Sequence, residues 1–362
     1  MNDLPYWVAF TRIRGIGPVR FRRLKEVFGS AHAAWEAPEK ELGEVLGDRL
    51  AAVLSRERRK IDPERVLSDL HQRGIDILIN GSGHFPTLLN IIPQPPCLLY
   101  VKGDLSCLNT YLPLAVVGTR RPTPYGRKIA FDFCRILAEK EMVVVSGMAS
   151  GIDGEAHRGA LASGGKTVAV LGTGINVVYP AAHVRLAEAI VKGGGAIVSE
   201  YPPDTGPRRE NFPVRNRLIS GMSRGVLVVE APMRSGALIT ADFALEQGRE
   251  VMAVPGPVTS RQSEGTNRLI AQGALCVLNV EDVRAALGRP EQAFLARAEP
   301  AEGIELSPEE MNILSRIEYT GTSKGELLEK SGLGGGTFFR ILIELELQGL
   351  IREEPGGVLY KR

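Results

Sequence analysis

The chain has 362 residues, of which 44% are hydrophobic and 24% are charged, and its formal net charge is +2. This length exceeds one ordinary domain and the composition is that of a globular protein, so two or three domains are expected. The sequence has no N-terminal apolar segment and no run of 18 apolar residues, which predicts a cytoplasmic protein without membrane contact. The four cysteines form no Cys-x-x-Cys pair, so neither a metal site nor a cofactor is expected.

The first 70 residues are predicted to be helical throughout. A Gly15-Ile16-Gly17 turn precedes apolar residues at helical spacing, and this resembles the helix-hairpin-helix motif of non-sequence-specific DNA-binding proteins. Such a turn exposes backbone N–H groups to a phosphate, so Gly15, Gly17 and Arg20 are candidate DNA contacts. The alternative is a helical hairpin kept only for packing, and in either case residues 1–70 are predicted to form a helix-hairpin-helix or SAM-like domain.

Residues 71–288 alternate apolar strands with amphipathic helices. This pattern predicts an α/β domain with a doubly wound, largely parallel, extended Rossmann-like core. The predicted strands are Pro96–Val101, Leu114–Gly118, Val143–Ser146, Val168–Gly172, Ala196–Ser199, Gly225–Glu230 and Val251–Val254. The predicted helices include Gly126–Glu139, Gly154–Ala162, Ala181–Val191 and Ala237–Gly248.

Loops that follow parallel strands gather at one edge of a doubly wound sheet, where ligands bind. The loop after the first core strand contains Gly118, where a ligand could approach the backbone, and Arg120, which could hold a phosphate. Ser150 and Gly151 open a helix whose N-terminal amides could do the same. The alternative for Arg120 is a structural ion pair with Glu200 or Glu230.

The segment 199–221 carries the strongest signal for a ligand. Four arginines (208, 209, 215 and 217) fall within ten residues, and Phe212 lies between the two pairs. Guanidinium groups bind phosphates and a flat ring stacks on an unpaired base, so this pattern is typical of single-stranded nucleic-acid binding. For Arg215 and Arg217, structural pairing with Glu200 and Glu230 is an open alternative.

Residues 289–303 are rich in Pro, Ala and Glu and are predicted to be a linker. Residues 304–362 are predicted to form three helices, near Pro308–Ile317, Lys324–Ser331 and Gly335–Gly349, and a hairpin with a Gly356-Gly357 turn, which together resemble a winged helix. The domain holds seven Lys or Arg residues against ten Glu. A protein-contact role is therefore favoured over direct reading of DNA.

Catalytic patterns are weak. The segment Gly159–Thr167 has the wrong spacing and the wrong position for a P-loop, because its lysine ends a helix and enters a strand. Gly172-Thr-Gly174 lacks the third glycine of a dinucleotide fingerprint. Asp153 and His157 lie four residues apart, but no nucleophile or metal ligand accompanies them, so catalysis is not expected there.

Six segments of the core together resemble the DNA processing protein A (DprA/Smf) family. They are VVGTRRPTPYG at 116–126, VSGMASGIDGEAHRGAL at 145–161, VLGTGINVVYP at 170–180, SEYPP at 199–203 with FPVRNRLISGMS at 212–223, VVEAPMRSGALITADFALEQGREVMAVPG at 228–256, and EGTNRLIAQGA at 264–274. The resemblance implies a non-enzymatic, cytoplasmic single-stranded DNA-binding protein that protects incoming DNA in natural transformation and loads the RecA recombinase. It also implies a homodimer.

The resemblance assigns roles to particular residues. Arg120 matches the arginine of the family's DNA pocket, and Arg209 and Phe212 match its basic residue and its base-contacting phenylalanine. Leu269 and Ile270, in the 266–274 helix, match the dimer region, which the RecA contact overlaps. The full predicted single-stranded DNA site is Gly118, Thr119, Arg120, Arg121, Ser150, Gly151, Arg208, Arg209, Phe212, Arg215, Asn216 and Arg217.

The alternative function is a nucleotide-processing or nucleotide-sensing Rossmann protein of the phosphoribohydrolase-like branch. Those enzymes carry a PGGxGTxxE signature. The comparable segment, Arg234–Thr240, lacks the glutamate at that position. A sensor would hold a free nucleotide in the same pocket.

Overall fold

A computed structural model of the chain describes residues 3–110, 112–288, 307–317, 322–347, 350–354 and 358–361. The chain forms two compact units, Met1–Leu287 and Gly288–Arg362. The predicted division into segments 1–70, 71–288, 289–303 and 304–362 stays a prediction, and the linker lies outside the described residues. The fold class predicted from the sequence is confirmed: a helical N-terminal region, an α/β core and a C-terminal winged helix.

The N-terminal region is helical, as its composition predicted. Its helices are α1 (Leu4–Thr11), α2 (Pro18–Phe28), α3 (Ala31–Glu36), α4 (Glu39–Leu46), α5 (Asp48–Arg58) and α6 (Pro63–Gln72). Gly29 ends α2 with φ of 77°, and the Ser30 hydroxyl caps α3 by accepting from the Ala33 N–H. The rings of Phe21 and Trp35 pack edge-on against Phe10, which is fully buried.

The core sheet of unit 1 has nine strands in the order β1-β2-β6-β5-β4-β3-β7-β8-β9. The strands are β1 (Asp76–Ile79), β2 (Leu98–Gly103), β3 (Pro113–Val117), β4 (Val143–Ser146), β5 (Thr167–Leu171), β6 (Ala196–Ser199), β7 (Gly225–Val228), β8 (Glu250–Ala253) and β9 (Leu275–Cys276). The strands from β6 to β9 in this order pair in parallel, whereas β1 and β2 add antiparallel pairs at one edge. The sequence analysis missed β1, in which Leu78 alone is buried, and β9, which has two residues.

Helices cover both faces of the sheet. They are α7 (Thr87–Asn90), α8 (Pro124–Glu139), α9 (Ile152–Ala162), α10 (Val184–Lys192), α11 (Asn211–Gly221), α12 (Gly236–Glu246), α13 (Glu264–Ala271) and α14 (Val280–Leu287). The predicted helix Ala181–Val191 begins instead with a 3₁₀ turn at Ala181–His183. No helix within the described residues is both long enough and apolar enough to cross a lipid bilayer.

Helix α11 was not among the predicted helices, because the residues after Ser199 were assigned to one of the loops at the sheet edge. Pro213 lies in the first turn, where the backbone N–H has no partner within the helix, so proline is tolerated there. The Asn211 side chain donates to the Gly172 carbonyl at 3.2 Å, and the Tyr201 hydroxyl donates to the Asn211 carbonyl at 3.3 Å. These contacts hold the start of α11 against the carboxyl edge of the sheet.

The central strands are buried on both faces, as parallel strands between two helical layers must be. In β3, Leu114 and Val116 pack in the cluster formed with α8, whereas Ala115 and Val117 pack in the cluster that contains Leu218 of α11. The alternation gives α8 and α11 opposite faces of the same strand. The sheet therefore fixes the positions of both helices.

Unit 2 consists of α15 (Pro308–Arg316), α16 (Lys324–Ser331), α17 (Gly335–Leu347) and a sheet of strands β10 (Thr322–Ser323), β11 (Ile351–Glu354) and β12 (Val358–Lys361) in the order β10-β12-β11. Ser307 and Glu310 form a capping box at the start of α15. This is the predicted winged helix, although the predicted Gly356-Gly357 turn lies outside the described residues. On α17, Arg340 pairs with Glu344 at 3.0 Å, which offsets its charge.

Candidate nucleic-acid interface

A cavity of about 930 Å³ lies at the carboxyl edge of the core sheet. The chain places β3 in the middle of the sheet, runs outward through β4, β5 and β6, and returns to place β7 beside β3. This reversal makes a topological switch point between β3 and β7, where the following loops diverge and leave a crevice. The cavity is lined by the loops after both strands and by the first turns of α11 and α12.

The Phe212 ring is the centre of this cavity's aromatic surface. The Arg120 guanidinium lies 5.5 Å from the ring centroid, the Arg215 guanidinium 5.9 Å, and the Tyr179 ring 5.6 Å with the planes inclined at 42°. A Cβ at Gly172 would lie 2.8 Å from the Phe212 ring, so the glycine gives the ring its place. The arrangement pairs one aromatic surface with two cations.

Arg120 is exposed and forms no hydrogen bond or ion pair within the described part of the chain. Glu230, which the sequence analysis considered as its partner, accepts instead from the backbone N–H of Thr123 at 2.9 Å and from its hydroxyl at 2.6 Å. Glu230 thus holds the start of α8. The guanidinium of Arg120 keeps its donors available to a ligand.

Gly118 and Gly151 lie so close to neighbouring protein atoms that no side chain would fit at either position. A Cβ at Gly118 would lie 2.5 Å from Ile152, and a Cβ at Gly151 would lie 2.4 Å from the Thr119 carbonyl. Gly151 also has φ of 82°, which side chains rarely adopt. The sequence analysis explained Gly118 by ligand approach, but the structure fills that space with the first turn of α9. The close fit fixes the loop that carries Arg120.

The other predicted residues divide by position. Arg121, Arg209 and Asn216 line the same cavity with Thr119, and both arginines are exposed. Ser150 lines a smaller pocket of about 60 Å³ that it shares with Arg120, Phe212 and Arg215. Arg208 is exposed but lies outside the lining of both pockets. Thr119 and Asn216 are buried. The Thr119 hydroxyl accepts from the Arg121 N–H at 3.2 Å, and the Asn216 amide donates to the Gly236 carbonyl at 3.1 Å, so both side chains already have protein partners.

Arg215 is buried beneath Phe212. Its guanidinium donates to the Gly147 carbonyl at 2.8 Å and to the Val170 carbonyl. Burial lowers its pKa to about 10, so the group stays charged at neutral pH. Arg215 therefore contributes positive charge from below the cavity while it ties α11 to the ends of β4 and β5.

Arg217 faces away from this cavity, so the structure corrects its predicted place in the basic track. One terminal nitrogen donates to both carboxylate oxygens of Glu200 at 2.7 Å, and the side chains of Arg217 and Glu200 are 7% and 13% exposed. This is the ion pair that the sequence analysis had left open for Arg217. The physical reason is helical periodicity, because residues two positions apart on a helix point in nearly opposite directions.

Asp153 is buried at the cavity floor, where it accepts from the backbone N–H groups of Gly147 and Ala149 at 3.2 Å. Burial raises the pKa of this carboxyl to about 6, against the lowering effects of the Arg215 charge and the two N–H groups. His157 is fully buried outside the cavity and pairs with Thr167 at 2.7 Å. Burial lowers the His157 pKa to about 3, so the ring is neutral at physiological pH.

Sequence reasoning missed three lining residues. Tyr179 adds a second ring beside Phe212, and the exposed Arg234 and Arg261 add cations at the far side of the cavity. Tyr179 and Arg234 follow the ends of β5 and β7 by several residues, and Arg261 follows β8. The sequence does place all three residues in loops at the carboxyl edge of the sheet. They lie several residues beyond the strand ends, however, so the pattern of residues directly after each strand did not include them.

The predicted contacts outside the core lie elsewhere. Gly15 has φ of 99° and its carbonyl accepts from Arg20 at 2.7 Å, so Arg20 closes the hairpin. Gly17 precedes α2 with an extended backbone. In α13, Leu269 is buried in the core and Ile270 is partly buried, so neither presents a large apolar surface.

A Rossmann-like core with a cationic, aromatic cavity at its switch point, followed by a winged helix, defines a class of DNA-processing proteins. The chain matches the family model described as DNA recombination-mediator protein A over residues 76–288 and the DprA winged helix domain over residues 297–357. The chain belongs to the DprA/Smf family of DNA recombination mediators.

Full-length relatives agree with this assignment. Protein Smf of Escherichia coli is 37% identical over 91% of this chain and 90% of its own length, and Protein Smf of Synechocystis is 34% identical over 100% and 99%. The X-ray structure of DNA processing protein A from Streptococcus pneumoniae superposes with a TM-score of 0.69 at 37% identity, covering 79% of this chain and 98% of that one. DNA processing protein A from Helicobacter pylori, whose structure is described as showing a single-stranded DNA binding mode, gives a TM-score of 0.54 at 32% identity over 59% of this chain and 95% of that one.

The two classes of arginine predict different effects on stability. Replacing Arg217 by Ala leaves the Glu200 carboxylate, which is only 13% exposed, without its counter-ion, so the free energy of unfolding is expected to fall by about 3 kcal/mol. Arg209→Ala is the matched control, because its exposed side chain forms no hydrogen bond or ion pair with the described residues, and its unfolding midpoint is expected to stay within error. Urea titration followed by circular dichroism measures both variants. Equal midpoints for Arg217→Ala and wild type would contradict the structural role of the pair.

Proposed function

We propose that this chain binds single-stranded DNA without sequence preference in the cytoplasm, protects DNA that enters during natural transformation, and loads the RecA recombinase onto it. The single observation that carries the binding step is the exposed guanidinium of Arg120, which lies 5.5 Å from the centroid of the Phe212 ring and forms no hydrogen bond or ion pair with the described residues. The description of the family as recombination mediators supports the RecA step. The protein acts in this proposal as a homodimer, with no cofactor and no chemical step.

Preference for a single strand follows from the aromatic part of the cavity. A base can stack on Phe212 or Tyr179 only when its own neighbour on one side is displaced, which costs little in a single strand. Arg120, Arg121 and Arg209 are the exposed cations around these rings, and they would meet the backbone phosphates. None of these contacts reads a base edge, so the proposed binding is independent of sequence.

The buried groups support a binding role over an enzymatic one. His157 is neutral and lies outside the cavity. The Asp153 carboxylate accepts hydrogen bonds from the backbone N–H groups of Gly147 and Ala149. Among the described residues, no cluster of His, Cys, Asp and Glu is suited to a metal ion. A nucleotide-processing enzyme needs a positioned acid or base, so that alternative has less support.

Removing Arg120 is expected to weaken binding of an oligo-dT of about 30 nucleotides by roughly tenfold to a hundredfold, because a charge-assisted contact is lost. Phe212→Ala is expected to cost about tenfold through lost stacking. Fluorescence anisotropy at two salt concentrations measures the affinities, and Arg120→Ala should also reduce the salt dependence.

Arg185→Ala is the matched control for these variants, because this exposed arginine on α10 lies outside the cavity. A duplex of the same length should bind more weakly than the single strand. Equal affinity for both DNA forms, unchanged in Arg120→Ala, would overturn the proposal. Displacement of the oligonucleotide by a free mononucleotide, with turnover, would favour the enzymatic alternative.

Protonation of Asp153 is expected to strengthen DNA binding. The pKa of this carboxyl is about 6, so it carries a negative charge near Arg120 and Arg215 at pH of about 7.5 and loses most of it at about 5. Affinity should therefore rise severalfold as the pH falls through this range. Asp153→Asn should bind at the higher pH as tightly as wild type does at the lower one. A pH dependence that is the same in both proteins would contradict this assignment.

The homodimer is proposed to form at the β9 edge of the sheet. Ile270 is partly buried there, and Leu278 just beyond β9 is 72% exposed. Leu278→Glu is expected to shift the protein to a monomer in sedimentation velocity and to slow RecA assembly on single-stranded DNA, measured by the lag in RecA ATP hydrolysis. Val184→Glu, on α10 against the opposite end of the sheet, is the control. Unchanged mass and unchanged lag would place any dimer elsewhere.

A further inference from the structure

A second cavity, of about 590 Å³, lies on the other side of α11 from Phe212. Its walls come from the N-terminal hairpin (13–22), the segment 93–98 and the segment 200–202. Val214 and Arg217 of α11 complete it. The proposed function of the first cavity makes no use of this space.

The second cavity combines an apolar interior with a cationic mouth. Trp7 and Ile16 are buried in its wall, and Val19 on the hairpin is 73% exposed. Arg14 and Arg22 also line it, and both are exposed and form no ion pair or hydrogen bond within the described residues. A ligand suited to these walls has a flat, weakly polar part and a negative charge, as a nucleotide has.

The polar group at the base of this cavity is incompletely paired. Arg217 gives one terminal nitrogen to Glu200, while its other terminal nitrogen is buried without a hydrogen-bond partner. A buried N–H without an acceptor is costly, and native proteins rarely leave one. This nitrogen is closed off from the cavity, so the exposed Arg14 and Arg22 and the apolar walls are the groups that a ligand there would meet.

Side chains of α11 line both cavities. Phe212 lines the first and Val214 lines the second, and Pro213 and Val214 are exposed on the ridge between them. A helix with its side chains is about 10–12 Å across, so a flexible single strand crosses the ridge in a few nucleotides. The exposed cations Arg209 and Arg14 lie on opposite sides of that ridge.

We propose that the second cavity is a further base-binding subsite for the same DNA strand, formed jointly by the N-terminal hairpin and the core. The proposal rests on the proposed single-stranded DNA binding. It gives the hairpin a role in which Arg20 positions the turn and Arg14 and Arg22 meet phosphates. A strand long enough to cross α11 then gains affinity that a shorter strand lacks.

Trp7 provides a direct reporter for this subsite. The chain has two tryptophans, and Trp35→Phe leaves Trp7, in the cavity wall, as the only one. In this background an oligo-dT of about 20 nucleotides is expected to change the Trp7 fluorescence, whereas one of about 6 nucleotides, which fills the first cavity, is not. The longer strand should also bind about tenfold more tightly.

Two pairs of variants separate the subsite from general charge and folding effects. Val19→Glu places a negative charge in the cavity mouth and should abolish both the fluorescence change and the affinity gained with length. Val27→Glu is its control, since Val27 is 59% exposed on the same helix but lies outside the cavity lining. Arg14→Ala with Arg22→Ala should act like Val19→Glu, and Arg59→Ala with Arg65→Ala removes equal charge elsewhere in the helical region.

The outcomes distinguish this inference from the proposed function. Loss of the length-dependent affinity in Val19→Glu but not in Val27→Glu, with binding of the short strand kept, supports the subsite. A silent Trp7, or a length dependence that survives Val19→Glu, overturns the subsite while Arg120→Ala still reports on the first cavity. Failure of the wild type to bind either strand overturns the proposed function itself.

Discussion

The buried guanidinium of Arg215 is the contact on which the candidate interface depends. It joins α11 to the Gly147 and Val170 carbonyls at the ends of two neighbouring strands, and Asp153 provides a negative charge nearby. A buried charge is stable only when it is paired and its donors are hydrogen-bonded. The hydrogen bonds of Arg215 therefore fix the position of α11 against the sheet. That position places Phe212 against Gly172 and next to Arg120.

The same helix divides the surface of unit 1 into two regions. Phe212, Arg215 and Asn216 share the face towards the switch point, whereas Val214 and Arg217 share the face towards the N-terminal hairpin. Spacings of three and four residues account for both sets. If single-stranded DNA binds as proposed at one face, the other face lies next to it, and the N-terminal region would continue the binding surface.

Local charge matters more than total charge in this protein. A net charge of +2 over 362 residues gives little general attraction to DNA. The exposed arginines of the first cavity form no ion pairs within the described residues, while Arg217 and Arg340 are paired with glutamates. Anion binding at this edge, as proposed, would therefore depend on the placement of a few unpaired cations and not on the net charge.

The sequence by itself determined the fold class and the loops that meet at the sheet edge. Buried strands such as β3 and β4 are continuous apolar runs, and a parallel sheet puts their following loops together, so Arg120 and Phe212 could be assigned to one region. Only the tertiary structure decided which way each arginine points. Because α11 was not predicted, Arg215 and Arg217 were assigned to the same site, but the helix places Arg215 beneath Phe212 and Arg217 against Glu200. The second cavity was equally hidden, because its walls come from segments up to 200 residues apart that no local pattern connects.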